Sequence, residues 1–224
     1  MFWRIGVNRP RICAAIVDND LSAITGVEPF IDLFEIRIDL IGDGWPELVQ
    51  ELKKPWIACN RLANEGGRWE GNETSRIEEL LKATELGADI VDIELRTKKL
   101  DEVIRLIKKK AKCLMSHHDL AGTPPLDSLK EIVKRQLAAG ADICKVVTTA
   151  NSFDENLAVL QLITEFSELK IVSFAMGPLG SVSRVLCPLV GGYFTYASIE
   201  AGRESASGQI TVRDLGKLYG MVEL

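Results

Sequence analysis

Short apolar runs alternate along this chain with stretches in which apolar residues recur every three or four positions. The runs are 11–17 (RICAAIV), 33–40 (LFEIRIDL), 56–60 (WIACN), 90–95 (IVDIEL), 112–117 (KCLMSH), 143–147 (ICKVV), 171–176 (IVSFAM) and 193–197 (YFTYA), and each reads as a strand. Between them lie helical stripes: Ile77, Leu80 and Leu81; Leu100, Val103, Ile104 and Ile107; Leu129, Ile132, Val133 and Leu137; Leu157, Leu160, Ile163 and Phe166. The segment 75–78, Ser-Arg-Ile-Glu, has the spacing of a capping box and predicts the start of the first of these helices. Strands alternating with helices imply right-handed crossovers and a parallel sheet. About eight units fit, at roughly 28 residues each, which predicts a single-domain (β/α)8 TIM barrel over 1–224. Gly-Ala-Asp-Ile occurs at 87–90 and again at 140–143, a weak internal echo about two units apart. An open doubly wound sheet is the competing architecture. It would want a glycine-rich turn after the first strand, and Val17-Asp18-Asn19-Asp20 has none.

Composition narrows the classes. A net charge of -5 argues against general nucleic-acid binding. No apolar run approaches the length of a membrane span, and residues 1–10 do not read as a signal peptide. Cys13, Cys59, Cys113, Cys144 and Cys187 are odd in number and widely spaced, which fits reduced thiols in a cytoplasmic protein and neither a disulfide framework nor zinc.

The chemistry starts at Lys145, an amine inside an apolar strand entered through Gly140. Burial disfavours an ammonium, so a lowered pKa and a nucleophilic amine are expected, against the alternative of an edge strand with its lysine in water. Alternation puts Glu35, Arg37 and Asp39 on one face of the second strand, and Asp92 and Glu94 on one face of the fourth. Three charges facing a barrel interior must pair or bind something. The third strand runs into Asn60-Arg61 and a polar, glycine-containing loop, 62–67. Of the two histidines, His118 shares a face with Ser116, while His117 points the other way. Two late loops, 177–184 and 200–209, combine small residues with Arg184 and Arg203, suited to holding an anion.

These residues, taken in order, resemble the type I 3-dehydroquinate dehydratases, Schiff-base enzymes of the shikimate pathway. The likeness rests on Glu35-x-Arg37-x-Asp39, Arg61 with 64–67 (NEGG), 116–119 (SHHD), 140–145 (GADICK), Ser183-Arg184 and 205–209 (SASGQ). The last has Ser207 where relatives often carry proline. The resemblance implies a cofactor-free, metal-free hydro-lyase acting on 3-dehydroquinate. Lys145 would form an iminium, His118 would move protons, and Glu65 would tune His118. Arg184, Ser205 and Gln209 would hold the substrate carboxylate, and Glu35, Arg37 and Arg61 would surround the ring hydroxyls and the lysine. Arginines near Lys145 would lower its pKa further. A homodimer is among the expectations; nucleic acid and membrane are not. Three alternatives stay open: a Schiff-base aldolase acting on a sugar phosphate, a barrel kept as a binding scaffold, and a metal-dependent hydrolase. The last is disfavoured because no close carboxylate pair is evident.

Overall fold

The structure is a computed structural model that describes residues 9–222, so the reading of 1–10 lies outside it except at Arg9 and Pro10. Eight strands and their crossovers form the expected barrel: β1 (Ile12–Ile16), β2 (Leu33–Arg37), β3 (Trp56–Cys59), β4 (Ile90–Glu94), β5 (Lys112–His118), β6 (Ile143–Thr149), β7 (Ile171–Met176) and β8 (Thr195–Ser198). A two-residue strand, β9 (Ile210–Thr211), adds to β8. All pairings are parallel, and the order runs β7-β6-β5-β4-β3-β2-β1-β8-β9. The helices are α1 (Leu21–Val27), α2 (Ile38–Ile41), α3 (Trp45–Leu48), α4 (Glu73–Glu85), α5 (Leu100–Ile107), α6 (Leu126–Ala138), α7 (Glu155–Glu165), α8 (Ser181–Leu186) and α9 (Val212–Met221).

Strand alternation sorts the core. Outward residues such as Phe34, Ile36, Ala58, Val91, Ile93 and Met115 bury against helices. Inward residues Cys13, Leu33, Ile57, Ile90, Leu114 and Ile143 fill the barrel floor. One step further along β2, β4, β5 and β6 the inward positions turn polar, at Glu35, Asp92, Ser116 and Lys145, with the Cys59 thiol of β3 among them. The interior thus has an apolar base and a charged upper layer, which is where barrel chemistry belongs.

The Gly-Ala-Asp-Ile echo has a physical basis. Gly87 and Gly140 take φ of +93° and +96° and end their helices in the left-handed conformation. The aspartate that follows clasps the preceding strand. Asp89 donates its N–H to Trp56 O and accepts from Trp56 N–H through Oδ2, at 3.1 and 3.0 Å. Asp142 does the same to Cys113, at 2.9 and 2.8 Å. Asp32 repeats it on Ile12, at 2.9 Å for both bonds. The clasps join β1 to β2, β3 to β4, and β5 to β6. The fourth pair, β7 and β8, has only the bond from Tyr193 N–H to Ile171 O, 2.7 Å, and no ladder pairing.

Local expectations need three corrections. The second strand stops at Arg37, and Asp39 sits in α2, where it takes a bidentate bond from Arg37 at 2.9 and 2.7 Å. The first long helix begins two residues before the supposed box: Asn72 is its cap, accepting from Ser75 N–H at 2.8 Å. In α7 the buried face is Asn156, Val159, Leu162 and Ile163, while Leu157 is exposed. There Asn156 serves the inner face by donating to Phe153 O and Leu179 O, and a polar residue in that role hides the period.

Candidate active site

All nine residues proposed from sequence line one cavity at the C-terminal ends of the strands: Lys145, His118, Glu65, Glu35, Arg37, Arg61, Arg184, Ser205 and Gln209. Its empty volume is about 440 Å3, part of it open to solvent. Val147, Phe174, Met176 and Tyr196 supply apolar and aromatic wall.

Lys145 is only 4% exposed. Its Nζ lies 2.9 Å from Asp92, 3.4 Å from Glu35 and 3.1 Å from the Tyr196 hydroxyl. The expected low pKa is not found. Burial and Arg61 do favour the neutral amine, but Asp92 and Glu35 outweigh them, and the lysine pKa lies above its ordinary value. The resting amine is an ammonium in a carboxylate cage. Burial likewise works against the Asp92 carboxylate, but Arg61 and Lys145 hold it well below the usual range.

Arg61 turns out to build this cage. Its guanidinium meets Asp92 at 2.6 Å, Glu94 at 2.8 Å and Ser116 Oγ at 2.7 Å. Glu94 also accepts from Arg76, at 2.6 Å, and Arg76 is anchored by Glu73 and Thr97. Arg61 therefore acts on the lysine both directly, by like charge, and through Asp92, with both of its Nη groups engaged. Glu35, Cys59 and Asp92 place three potential metal-donor atoms within 4.8 Å of one another, which corrects the expectation of no close carboxylate pair. Lys145 and Arg61 already occupy both carboxylates, so the chemistry of the set suits an internal cation.

His118 and Glu65 form a pair: Nδ1 is 3.0 Å from Glu65 Oε2, which also accepts the His118 backbone N–H at 3.1 Å. Burial, Arg61 and Lys145 push the His118 pKa well below that of free histidine. Burial and Glu94 raise Glu65 to about 7, against Arg61 and Arg96. The imidazole is thus neutral near pH 7, and Nδ1–H donated to Glu65 leaves Nε2 free as a base. His117, as alternation requires, is absent from the cavity wall; its field comes from burial, Arg96, Asp119 and Arg135.

Arg184 stands apart. Arg37, Arg61, Arg76 and Lys145 are buried cations with carboxylate partners. Arg184 is 2% exposed, and among the described residues no carboxylate pairs with it. Its Nε has no partner, Nη2 reaches Ser207 O only at 3.4 Å, and the guanidinium rests on Phe174, 4.3 Å from the ring centre. Burial lowers its pKa to about 10. Ser205 and Gln209 join the same cavity wall from the final loop, with Ser205 N–H bonded to Gln209 Oε1 at 2.8 Å and Ser205 O accepting from Arg37 Nη1 at 3.3 Å. Gly208 makes the loop possible: φ is +79°, and a Cβ there would come within 2.3 Å of Gly177 O. Arg203 of the same loop pairs with Asp18 and Asp20, away from the cavity.

Sequence reasoning left out four participants. Asp92 was visible only as an interior carboxylate. Tyr196 and Phe174 sit inward in runs that read as plain core. Arg76 was legible, since it falls on the α4 face of Leu80 and Ala83, one turn before Leu80.

Comparison with known proteins bears on this geometry. Residues 12–224 match the family model of type I 3-dehydroquinase. The chain belongs to the type I 3-dehydroquinase family. It is 43% identical over 213 residues to a 3-dehydroquinate dehydratase of Dehalococcoides mccartyi, covering 95% of this chain and 96% of that one. A counterpart from Methanocaldococcus jannaschii is 35% identical, over 95% and 99% of the two chains. The crystal structure of the 3-dehydroquinate dehydratase of Geobacillus kaustophilus superposes with a TM-score of 0.82 at 26% identity, covering 96% of this chain and 93% of that one. As a type I 3-dehydroquinase the chain is an enzyme, a hydro-lyase on a TIM barrel, and the aldolase, scaffold and metallohydrolase alternatives give way.

Proposed function

We propose that this hydro-lyase dehydrates 3-dehydroquinate to 3-dehydroshikimate through an iminium on Lys145, without cofactor or metal. The observation that carries the mechanism is one cavity holding a caged amine, a neutral imidazole and an unpaired guanidinium. Arg184 takes the substrate carboxylate, with Ser205 and Gln209 beside it, because a buried cation without an anion is costly and an incoming carboxylate removes that cost. Arg37 and Glu35 face the ring hydroxyls. Lys145 gives up a proton, adds to the ketone and loses water. The resulting iminium carries its positive charge where the ammonium was. Asp92 and Glu35 are therefore already oriented for it, the preorganised electrostatics that lowers a barrier. The iminium acidifies the neighbouring carbon, and His118 Nε2 removes the proton. Glu65 steadies the imidazolium, which returns the proton to the departing hydroxyl. Hydrolysis frees the product and Lys145.

A cytoplasmic, homodimeric enzyme whose whole chain serves as one catalytic domain completes this reading. Five buried, unpaired cysteines support the reducing compartment. Among the described residues no helix is long and apolar enough to cross a membrane. Light scattering tests the dimer. For the chemistry, borohydride added with substrate should inactivate the enzyme and leave a reduced adduct on the peptide containing Lys145. Full turnover without that label, or a label on another lysine, refutes the mechanism.

A further inference from the structure

Lys145 rests as an ammonium, so iminium formation needs more proton traffic than a free amine would. Its three N–H groups face three acceptors: Asp92, Glu35 and the Tyr196 hydroxyl. Asp92 lies beneath, held by Arg61 and Ser116 and absent from the cavity wall. Glu35 and Tyr196 do line the cavity, so the nitrogen's path to a ketone lies on their side. Tyr196 is fixed there from several directions. It projects inward from β8 and meets Phe174 and Phe194 edge-on at 6.0 and 5.4 Å between ring centres. Nζ lies 4.3 Å from its own ring centre as well as 3.1 Å from its oxygen. Packing alone explains an aromatic ring at this position. It does not explain a hydroxyl pointed at the one amine in the site.

We propose that Tyr196 is a catalytic residue of imine formation, its hydroxyl passing a proton from the Lys145 nitrogen to the ketone oxygen as the amine adds. The inference rests on the Schiff-base reading above. The ammonium first yields one proton to Glu35, leaving an amine with a free electron pair. That pair attacks the carbonyl carbon and the C=O π electrons move to oxygen, giving N(H2)+–C–O−. The phenol oxygen accepts one N–H proton as its own O–H proton goes to the alkoxide, so Tyr196 ends as it began. Glu35 then returns its proton to the hydroxyl, which leaves as water while the nitrogen pair forms the iminium. Three protons on the ammonium become one on the iminium and two on water. Burial and the charge of Glu35 raise the phenol's pKa well above its usual value, so it stays protonated and able to relay throughout the working range.

Tyr196→Phe removes the oxygen and keeps the ring, its edge contacts and its place under Nζ. Wild type and variant are mixed rapidly with 3-dehydroquinate, quenched with borohydride at successive times, and the Lys145 adduct is followed by mass spectrometry. Adduct formation should slow by roughly 100-fold in the variant, the lower end for positioned proton transfer. Calorimetric affinity for a ring carboxylate lacking the ketone should be unchanged, which a purely structural defect would not allow. An adduct forming at the wild-type rate in Tyr196→Phe overturns the relay while leaving the Schiff base intact. No adduct in wild type overturns both, so the two failures are told apart.

Discussion

Replacing Arg184 by Met should make the free enzyme more stable and the enzyme less able to bind. The guanidinium is buried, its Nε is unbonded, and burial lowers its pKa from the ordinary arginine range to about 10. A tenfold change in proton affinity is worth about 1.4 kcal/mol, so that fall sets roughly 3 kcal/mol against the charged form in the folded state. Both folded and unfolded chains keep the proton below pH 10. The penalty is therefore fully present at neutral pH and fades only as pH climbs above about 10. Methionine fills similar space against Phe174 without a charge. It forfeits the contact with the ring and the long bond to Ser207, so a net gain of about 1–2 kcal/mol is expected. For a chain of this length that raises Tm by several degrees, at about 2–4 °C per kcal/mol. Substrate binding loses a charged hydrogen bond worth about 1.5–3 kcal/mol, a weakening of roughly 10- to 150-fold. Scanning calorimetry of the free proteins and titration calorimetry with a substrate analogue read the two effects separately. A variant that melts below wild type, or binds the carboxylate as well, refutes the argument that this cation waits for an anion.

Three further outcomes follow from the same geometry. His118→Ala should still form the lysine adduct but slow proton abstraction by roughly 100- to 10,000-fold, whereas His117→Ala should keep most turnover; the reverse pattern in stopped-flow assays would mean that β5 is wrongly registered. With Glu65 near 7, its carboxylate supports the imidazolium only above that pH, so kcat/KM should rise as pH climbs through about 7; Glu65→Gln should hold the low plateau and lose this limb, and an unchanged pH profile refutes the assignment. Arg76→Ala never touches the cavity, yet it strips a buried partner from Glu94 and should cost about 3–5 kcal/mol in urea denaturation; a loss below 1 kcal/mol would show that Arg61 alone satisfies Glu94.

The barrel was legible because its strands are apolar on one side and its helices follow a 3.6-residue period. Inward charges on β2, β4 and β6 then mark the upper layer of the interior. Sequence alternation told His117 from His118 for the same reason. It could not tell a lowered lysine pKa from a raised one, because that balance depends on Asp92 standing 2.9 Å away across two strand pairings. Arg61 was expected around the ring hydroxyls and the lysine, and it does line the cavity, but nothing in its neighbourhood in sequence shows that Asp92 and Glu94 hold its guanidinium. Helix starts were misplaced where one polar side chain, Asn72, caps better than the motif nearby.

The aspartate clasps at the barrel floor make the ring a set of stapled doublets, three closed and one left open. The unstapled joint between β7 and β8 lies opposite β3 and β4, the doublet that carries Arg61, Asp92 and Glu94. Above that joint the two loops near Arg184 are tied to each other by Gly177 N–H and Ser207 O at 3.1 Å, and the final loop also reaches the stapled β1–β2 side, through Arg203 to Asp20 at 2.8 Å and Ser205 O to Arg37 at 3.3 Å. The cage around Lys145 spans the ring, with Glu35 on β2, Asp92 on β4 and Tyr196 on β8 beside the open joint, so any give at that joint reaches the amine through Tyr196 alone of the three.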